Sequence, residues 1–375
     1  MDLQFLRNLT EKPGPFATVY LDASHDTEDA ARAAQLRWTE ARSQLAEQGA
    51  DEATLDALEG AVGSGEPAVG RAGRVLVGRG GEVLLDRTLP EPPAVPSARW
   101  EPLPGLLPML VDQPEPVSAV IVRIDETGGE IFAAGPGAEP VPVEDVEGSE
   151  YLVHKVRAGG WSHLNMQERV EESWRRNTAE VAERVDRHVA ATGARLLVIA
   201  GDPRSRSRLR DALGERAAGM AVELDHSGGA DADVLAAAVA EAVQDAVTDD
   251  RRAVLERYDQ AAGRPDGLAV DGIERVLAAL RAEAVDTLLV DGAVDRDTEV
   301  WISEVPTRLA TSEDDLRAIG TDPTERVPVD AALLRAAACS GAAFVPVGGG
   351  RTGLVGRPMA DGVAALLRYP LPSGA

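Results

Sequence analysis

Apolar and polar positions along this 375-residue chain switch repeatedly between two periods. The stretch "FATVYLD" (16–22) reads as a strand. "EDAARAAQLRWTEARSQLAEQ" has helical spacing, and "DEATLDALEGAV" opens on an acidic N-cap. "RVLVGR" and "EVLLDR" flank Gly80–Gly81 and predict a hairpin. The proline-rich "LPEPPAVPSARWEPLPGLLP" ends the regular pattern, and "DQPEPVS" repeats the break near residue 115. "SAVIVRID" and "GEIFAAG" predict two strands around Gly128–Gly129. A loop precedes a long helix from about Met166 to Thr192. The buried-type strand "RLLVIAG", a helix starting at "RSRSRLRDALGE" and the strand "MAVELD" follow. "DVLAAAVAEAVQDAVTDDRRAVLERYDQAAG" is a long Ala-rich helix ending at Gly263, suited to bridging two domains. In the last part, "GIERVLAALRAEAVDTLLVDG" predicts helix then strand. "TEVWISE" is a strand, "DAALLRAAACSG" a helix, "AAFVPVGGG" a strand and "DGVAALLRY" a closing helix. Strand–helix alternation of this kind predicts α/β layers. The expected domains are 1–115, 116–229 and 230–375, the last beginning with the linker helix. No repeat at a fixed period is visible.

Charge changes this picture unevenly. The net charge is −25, with 38 basic against 63 acidic residues. A uniformly acidic surface repels nucleic acid and anionic membranes. Yet Tyr151–Arg210 carries 12 Lys/Arg against 7 Asp/Glu. By contrast, residues 1–115 carry 10 against 19. Cys339 is the single cysteine, so no disulfide framework forms within the chain. The first residues have no apolar signal-peptide core, and no apolar run approaches the ~20 residues of a membrane span. These features predict a soluble cytoplasmic protein that binds neither DNA nor membrane.

Several chemistries lack their residues. His25, His154, His163, His188 and His226 have no zinc-ligand spacing, so no metal is expected. No G-x-S-x-G elbow and no Walker A sequence occur. Gly348-x-Gly350-x-x-Gly353 matches a dinucleotide fingerprint in letters. Too little chain follows for a βαβ unit, so no nucleotide cofactor is expected.

The candidate chemistry lies in "AGGWSHLNMQ" (158–167). Gly159 and Gly160 permit backbone shapes closed to other residues. Trp161 can stack or plug, Ser162 can cap the following helix, and His163 can donate, accept or titrate. Lys155, Arg157, Arg169, Arg175 and Arg176 surround this tip in sequence. A glycine-flexed tip with an aromatic group and flanking cations suits RNA, and a plain surface loop fits the same composition. Arg204, Arg206, Arg208 and Arg210 alternate in "GDPRSRSRLRD". Helical spacing spreads them over opposite sides, and Arg204 and Arg206 are the candidates for phosphate contact.

These residues carry a resemblance. "GGWSHLNMQERVEESWRRNTAEVAERV" resembles the central-domain loop and helix of archaeal/eukaryotic class-1 release factors, which have a Gly-Gly-Gln tip. "GLAVDGIERVLAALRAEAVDTLLV" and "ADGVAALLRY" are similar to the third domain of release factors and Pelota. With "GPFATVYLDASHDTEDA" and "PAVG", the whole chain resembles the bacterial branch of this superfamily, closest to actinobacterial Balon-like ribosome hibernation factors. The resemblance implies a mixed α/β (α+β) fold with three domains in a tRNA-like arrangement. It also implies an RNase H-like central domain and an α/β/α sandwich at the C-terminus. The implied partners are the ribosomal A site and its rRNA, with elongation factor Tu, for a monomer. Trp161 stands where a release factor has its glutamine. A related hydrolase branch uses Gly-x-x-Gln, which here puts His163 in that place, while Gln167 falls inside the helix. No "NIKS"-like decoding segment occurs in residues 1–115. Three functions follow: a hibernation factor whose tip occupies the peptidyl-transferase centre, a peptidyl-tRNA hydrolase using His163, or an acidic stress-associated adaptor that never meets RNA.

Overall fold

The computed structural model describes residues 3–11, 14–25, 30–64, 70–112, 117–135, 140–147, 161–224, 232–264, 267–292, 294–347 and 358–371. The first third contains α1 (Gln4–Thr10), β1 (Phe16–Asp22), α2 (Ala30–Glu47), α3 (Glu52–Ser64), β2 (Gly73–Arg79), β3 (Glu82–Leu89), β4 (Ser97–Glu101) and α4 (Leu107–Asp112). Its antiparallel sheet runs β3-β2-β1-β4. The β2–β3 hairpin turns at Gly80 and Gly81, which have φ of +57° and +83°. Such angles suit glycine. Ala17, Val19 and Leu21 alternate onto the face covered by Trp38, Leu45, Leu55 and Leu58 of α2 and α3.

The central part contains β5 (Ala119–Ile124), β6 (Gly128–Ala134), β7 (Val141–Glu147), α5 (Trp161–Thr192), β8 (Leu196–Gly201), α6 (Pro203–Ala212), α7 (Glu215–Gly219) and β9 (Ala221–Glu223). Then comes α8 (Ala232–Ala262). The sheet order is β7-β6-β5-β8-β9, with β5, β8 and β9 parallel and the β5-β6-β7 pairs antiparallel. Val120, Val122, Leu197 and Ile199 bury one face under Val181, Val185 and Val189 of α5. Ala119, Ile121, Leu196 and Val198 bury the other under Val239, Ala242 and Val247 of α8. Both faces of β5 and β8 are covered, which explains their unbroken apolar runs.

The last third contains β10 (Ala269–Asp271), α9 (Ile273–Arg281), β11 (Val285–Asp291), β12 (Glu299–Ile302), β13 (Leu309–Ala310), α10 (Glu313–Ala318), β14 (Glu325–Pro328), α11 (Val329–Ser340), β15 (Ala343–Val347) and β16 (Val363–Leu367). One sheet runs β10-β16-β11-β15 and a smaller one β13-β12-β14.

Three sequence expectations are corrected. "DGVAALLRY" forms not a closing helix but β16, antiparallel to β10 and β11 and buried at every residue. A strand covered on both faces loses its alternation, and a short apolar run then mimics a helix. The proline-rich stretch does not end the regular pattern. It holds β4, which pairs with β1, because Pro93, Pro96 and Pro102 flank the strand and leave its interior free. The long central helix begins at Trp161, so Ser162 is its second residue and not its cap.

The chain divides into two units, 1–113 with 252–375, and 114–251. The second division falls inside α8. In the first unit, the two ends of the chain share one core. Leu3, Leu6, Phe16, Tyr20, Leu103 and Leu106 pack with Leu277, Leu280, Leu288, Leu333 and Phe344. Residues 329–338 of α11 are all buried, as expected for a helix enclosed on every side. Asp330 is among them. It pairs with Arg296 at 3.0 Å, and Arg296 also reaches Glu101 of β4 at 3.4 Å. Burial pushes both carboxyls above their usual range, against the opposing pull of Arg296.

Candidate nucleic-acid interface

The expected site residues fall into three groups. Lys155, Arg157, Gly159 and Gly160 lie outside the described residues. Trp161, Ser162, His163 and Arg169 lie on α5 by their backbone, and their side chains are outside the description. Arg175, Arg176, Arg204 and Arg206 are described fully.

Helix α5 has 32 residues and so extends about 48 Å. From Glu171 onward, its buried positions are Asn177, Thr178, Val181, Ala182, Val185 and Val189. This stripe lies against the sheet. Gly129 of β6 permits the approach, since a Cβ there would lie 3.1 Å from Val181 Cγ1. Ahead of the stripe, Glu171, Glu172, Arg175 and Arg176 are exposed, and Trp174 is half-buried.

Asp202 starts α6 as its N-cap, accepting the amides of Arg204 at 3.0 Å and Ser205 at 3.1 Å. Pro203 takes the first helical position, where no amide is missed. Burial pushes the Asp202 carboxyl up, and the hydrogen bonds from Ser205 and Arg204 outweigh it and hold it below the usual range. The four alternating arginines then separate. Arg206 is buried, and its Nη1 donates to the Leu224 carbonyl. That contact anchors α6 beside β9 and takes Arg206 out of the candidate phosphate-binding set. Arg210 pairs with Glu223 at 3.3 Å. Arg204 is exposed, and Arg208 lies over the Trp174 ring at 5.3 Å from its centroid. Trp174 and Arg208 were missed as a pair, because a 34-residue separation leaves no local signal.

A second cluster ties β7 to α5. Glu144 accepts hydrogen bonds from Arg184 and, at 2.8 Å, from His188 Nε2. The His188 bond is the main cause that holds the Glu144 carboxyl below its usual range, with Arg184 adding to it against a smaller burial penalty. A depressed folded value means stabilisation that is full above the ordinary 4.5 and is lost as pH falls through the folded value. Glu144→Gln should therefore destabilise the protein at neutral pH. The gap to wild type should close as pH drops below the ordinary glutamate range. Thermal unfolding across that range checks this, and a gap independent of pH would remove the charge from the account.

No group of three or more His, Cys, Asp or Glu side chains with metal-binding geometry occurs among the described residues. Among the same residues, no helix is long and apolar enough to cross a membrane.

Comparison with known proteins places this geometry in a family. Residues 118–264 match the bacterial archaeo-eukaryotic release factor family 2. The uncharacterized protein Rv2629 of Mycobacterium tuberculosis H37Rv is 34% identical over 370 residues, covering 97% of this chain and 96% of the relative. Pelota of Archaeoglobus fulgidus is 16% identical, covering 98% of this chain and 91% of its own, with a TM-score of 0.36. A ribosome-bound archaeal Pelota is 13% identical, covering 99% and 94%, with a TM-score of 0.42. The chain belongs to the bacterial archaeo-eukaryotic release factor family 2.

Proposed function

We propose that this protein binds the ribosome, occupies the A site and peptidyl-transferase centre without decoding, and so keeps idle ribosomes inactive and protected. The observation that carries the reading is Trp161, directly after Gly159–Gly160, in a chain that belongs to a release-factor family. A release factor needs glutamine there, and an indole in that place fills the space that the reacting ester and water require. Three further features support it. The residue opens a long helix, whose first-turn amides have no intrahelical partner and favour anionic groups. Arg175, Arg176 and Arg204 are exposed on α5 and α6 and supply phosphate contacts. The acidic first third has no decoding segment. Elongation factor Tu is the delivering partner in this proposal, and the protein works as a monomer, as a tRNA mimic would.

The test mixes the purified protein with ribosomes carrying labelled peptidyl-tRNA in the P site, and follows both co-sedimentation and peptide release. Binding without release is expected, with Trp161→Ala weakening binding or relieving the block. Release that vanishes in His163→Ala would replace this reading with peptidyl-tRNA hydrolysis. Failure to pellet with loaded or empty ribosomes would leave the adaptor reading in its place.

A further inference from the structure

We propose that the α5–α6 junction is a phosphodiester-binding surface separate from the tip ahead of α5, and that Trp174 is the positioning residue that aims Arg208 into it. This deepens the ribosome-binding reading and rests on it for the identity of the RNA.

The argument starts from how the arginines of the central unit are paired. Arg123, Arg184, Arg187, Arg195 and Arg210 each hold a carboxylate, and Arg206 holds a carbonyl. In a chain with a surplus of acidic residues this is the default outcome. Arg175, Arg176, Arg204, Arg208 and Arg216 depart from it, with no ion pair at contact distance among the described residues, and Arg208 alone of them lies over an aromatic ring there. Glu171 and Glu172 stand four residues before Arg175 and Arg176 on the same helix, and neither closes onto them. Arg204 and Arg208 are four apart on α6 and so share one side of it. Because Arg208 lies over Trp174, that side of α6 meets the Trp174 side of α5, with Arg175 about 100° round the helix from it and Arg176 facing away.

The cation–π contact has a chemical consequence. A guanidinium held over an indole face by the ring's negative quadrupole spends none of its N–H donors on that contact, so they remain able to meet an anion. Two parallel donors then match two phosphate oxygens. The ring also restricts a long side chain that otherwise samples many rotamers, so less order is lost on binding. Arg208 also contributes to holding Asp202 ionised, which keeps the α6 cap in place. The surface is thus built from the Arg208 guanidinium held over the indole, the exposed Arg204 on the same side of α6, and Arg175 on the adjoining turn of α5. A folded RNA backbone presents the complementary charge at a spacing that several arginines can meet together.

The test is ribosome co-sedimentation of the full chain across a salt series, with four variants. Arg208→Gln should weaken binding about tenfold and lower the slope of log affinity against log salt by about 1, the value for one lost phosphate contact. Trp174→Leu keeps every charge and should still weaken binding several-fold. Trp174→Phe, which keeps an aromatic face, should restore most of it, and Trp174→Leu should leave the thermal unfolding midpoint unchanged, whereas a general packing role would lower it. Trp161→Ala should leave the slope unchanged, since the indole carries no charge. Unchanged affinity and slope in Arg208→Gln overturn the proposal. So does a binding loss for which an acidic protein, but not RNA, competes. If the wild type fails to pellet at any salt, the ribosome reading fails. Titration of a short RNA hairpin then decides the surface alone: salt-sensitive binding lost in Arg208→Gln sustains it, and no binding overturns it.

Discussion

Arg335→Leu is expected to lower the free energy of unfolding by about 3–5 kcal/mol. Arg335 is 0% exposed. Its Nε donates to the Thr10 carbonyl at 3.0 Å, its Nη1 to Ser303 at 2.8 Å, and its Nη2 to Glu11 and Glu304 at 2.9 Å each. Thr10 and Glu11 end α1, where helical carbonyls lack intrahelical partners. One side chain therefore caps a helix from the beginning of the chain and holds the segment after β12. Burial pushes the guanidinium down to about 10, so it remains charged at neutral pH. Leucine fills part of the volume but leaves the buried Thr10 and Ser303 carbonyls, and the partly buried Glu11 and Glu304 carbonyls, without this donor. Arg335→Lys should fall between the two, because one ammonium cannot reach both segments as a planar fork does. Urea unfolding measures the loss, and amide exchange in α1 should accelerate more than in the central unit. A loss within about 1 kcal/mol would mean that water or backbone relaxation satisfies the carbonyls.

Gly201→Ala should be nearly as damaging, at more than about 3 kcal/mol, but in the other unit. Gly201 has φ of +134°, and a Cβ there would lie 1.9 Å from the Ile124 carbonyl oxygen. The two residues are the last register pair of β5 and β8. The clash is with backbone, so no side-chain rotation relieves it, and the strands must part. Asp202, the α6 cap, is the next residue. The variant should therefore shift Arg204 and Arg208 together, weakening RNA binding while Arg335-dependent protection of α1 persists. Thermal unfolding and ribosome pelleting measure the two effects. Parental behaviour in both would show that the strand end accommodates a methyl group.

Legibility in the sequence followed how local each feature is. The strand at Phe16–Asp22, the hairpin at Gly80–Gly81 and the strand at Leu196–Gly201 were readable, because each declares itself within a few residues. The closing β16 was not. Val363–Leu367 owes its strand identity to β10 and β11, about 70 to 100 residues earlier in the chain. The common core of the two chain ends was hidden for the same reason, since neither third reveals which of its apolar faces its own helices leave bare. At the candidate interface, the basic stretch and the glycine-flanked tryptophan were visible as composition. The sorting of Arg204, Arg206, Arg208 and Arg210 was not, because it depends on which side of α6 meets the sheet, Glu223 or Trp174.

The Arg335 anchor also sets an order on synthesis. Its bond to Thr10 spans 325 residues. At about 5–20 residues per second, Thr10 waits roughly 15 to 65 s before Arg335 is made. The strands and helices of the central unit are contiguous in sequence and can close their own core during that interval. The first third emerges with one apolar face uncovered. A nascent chain of this protein thus needs shelter for its beginning longer than for its middle, and its fold is completed only when the last strand leaves the exit tunnel.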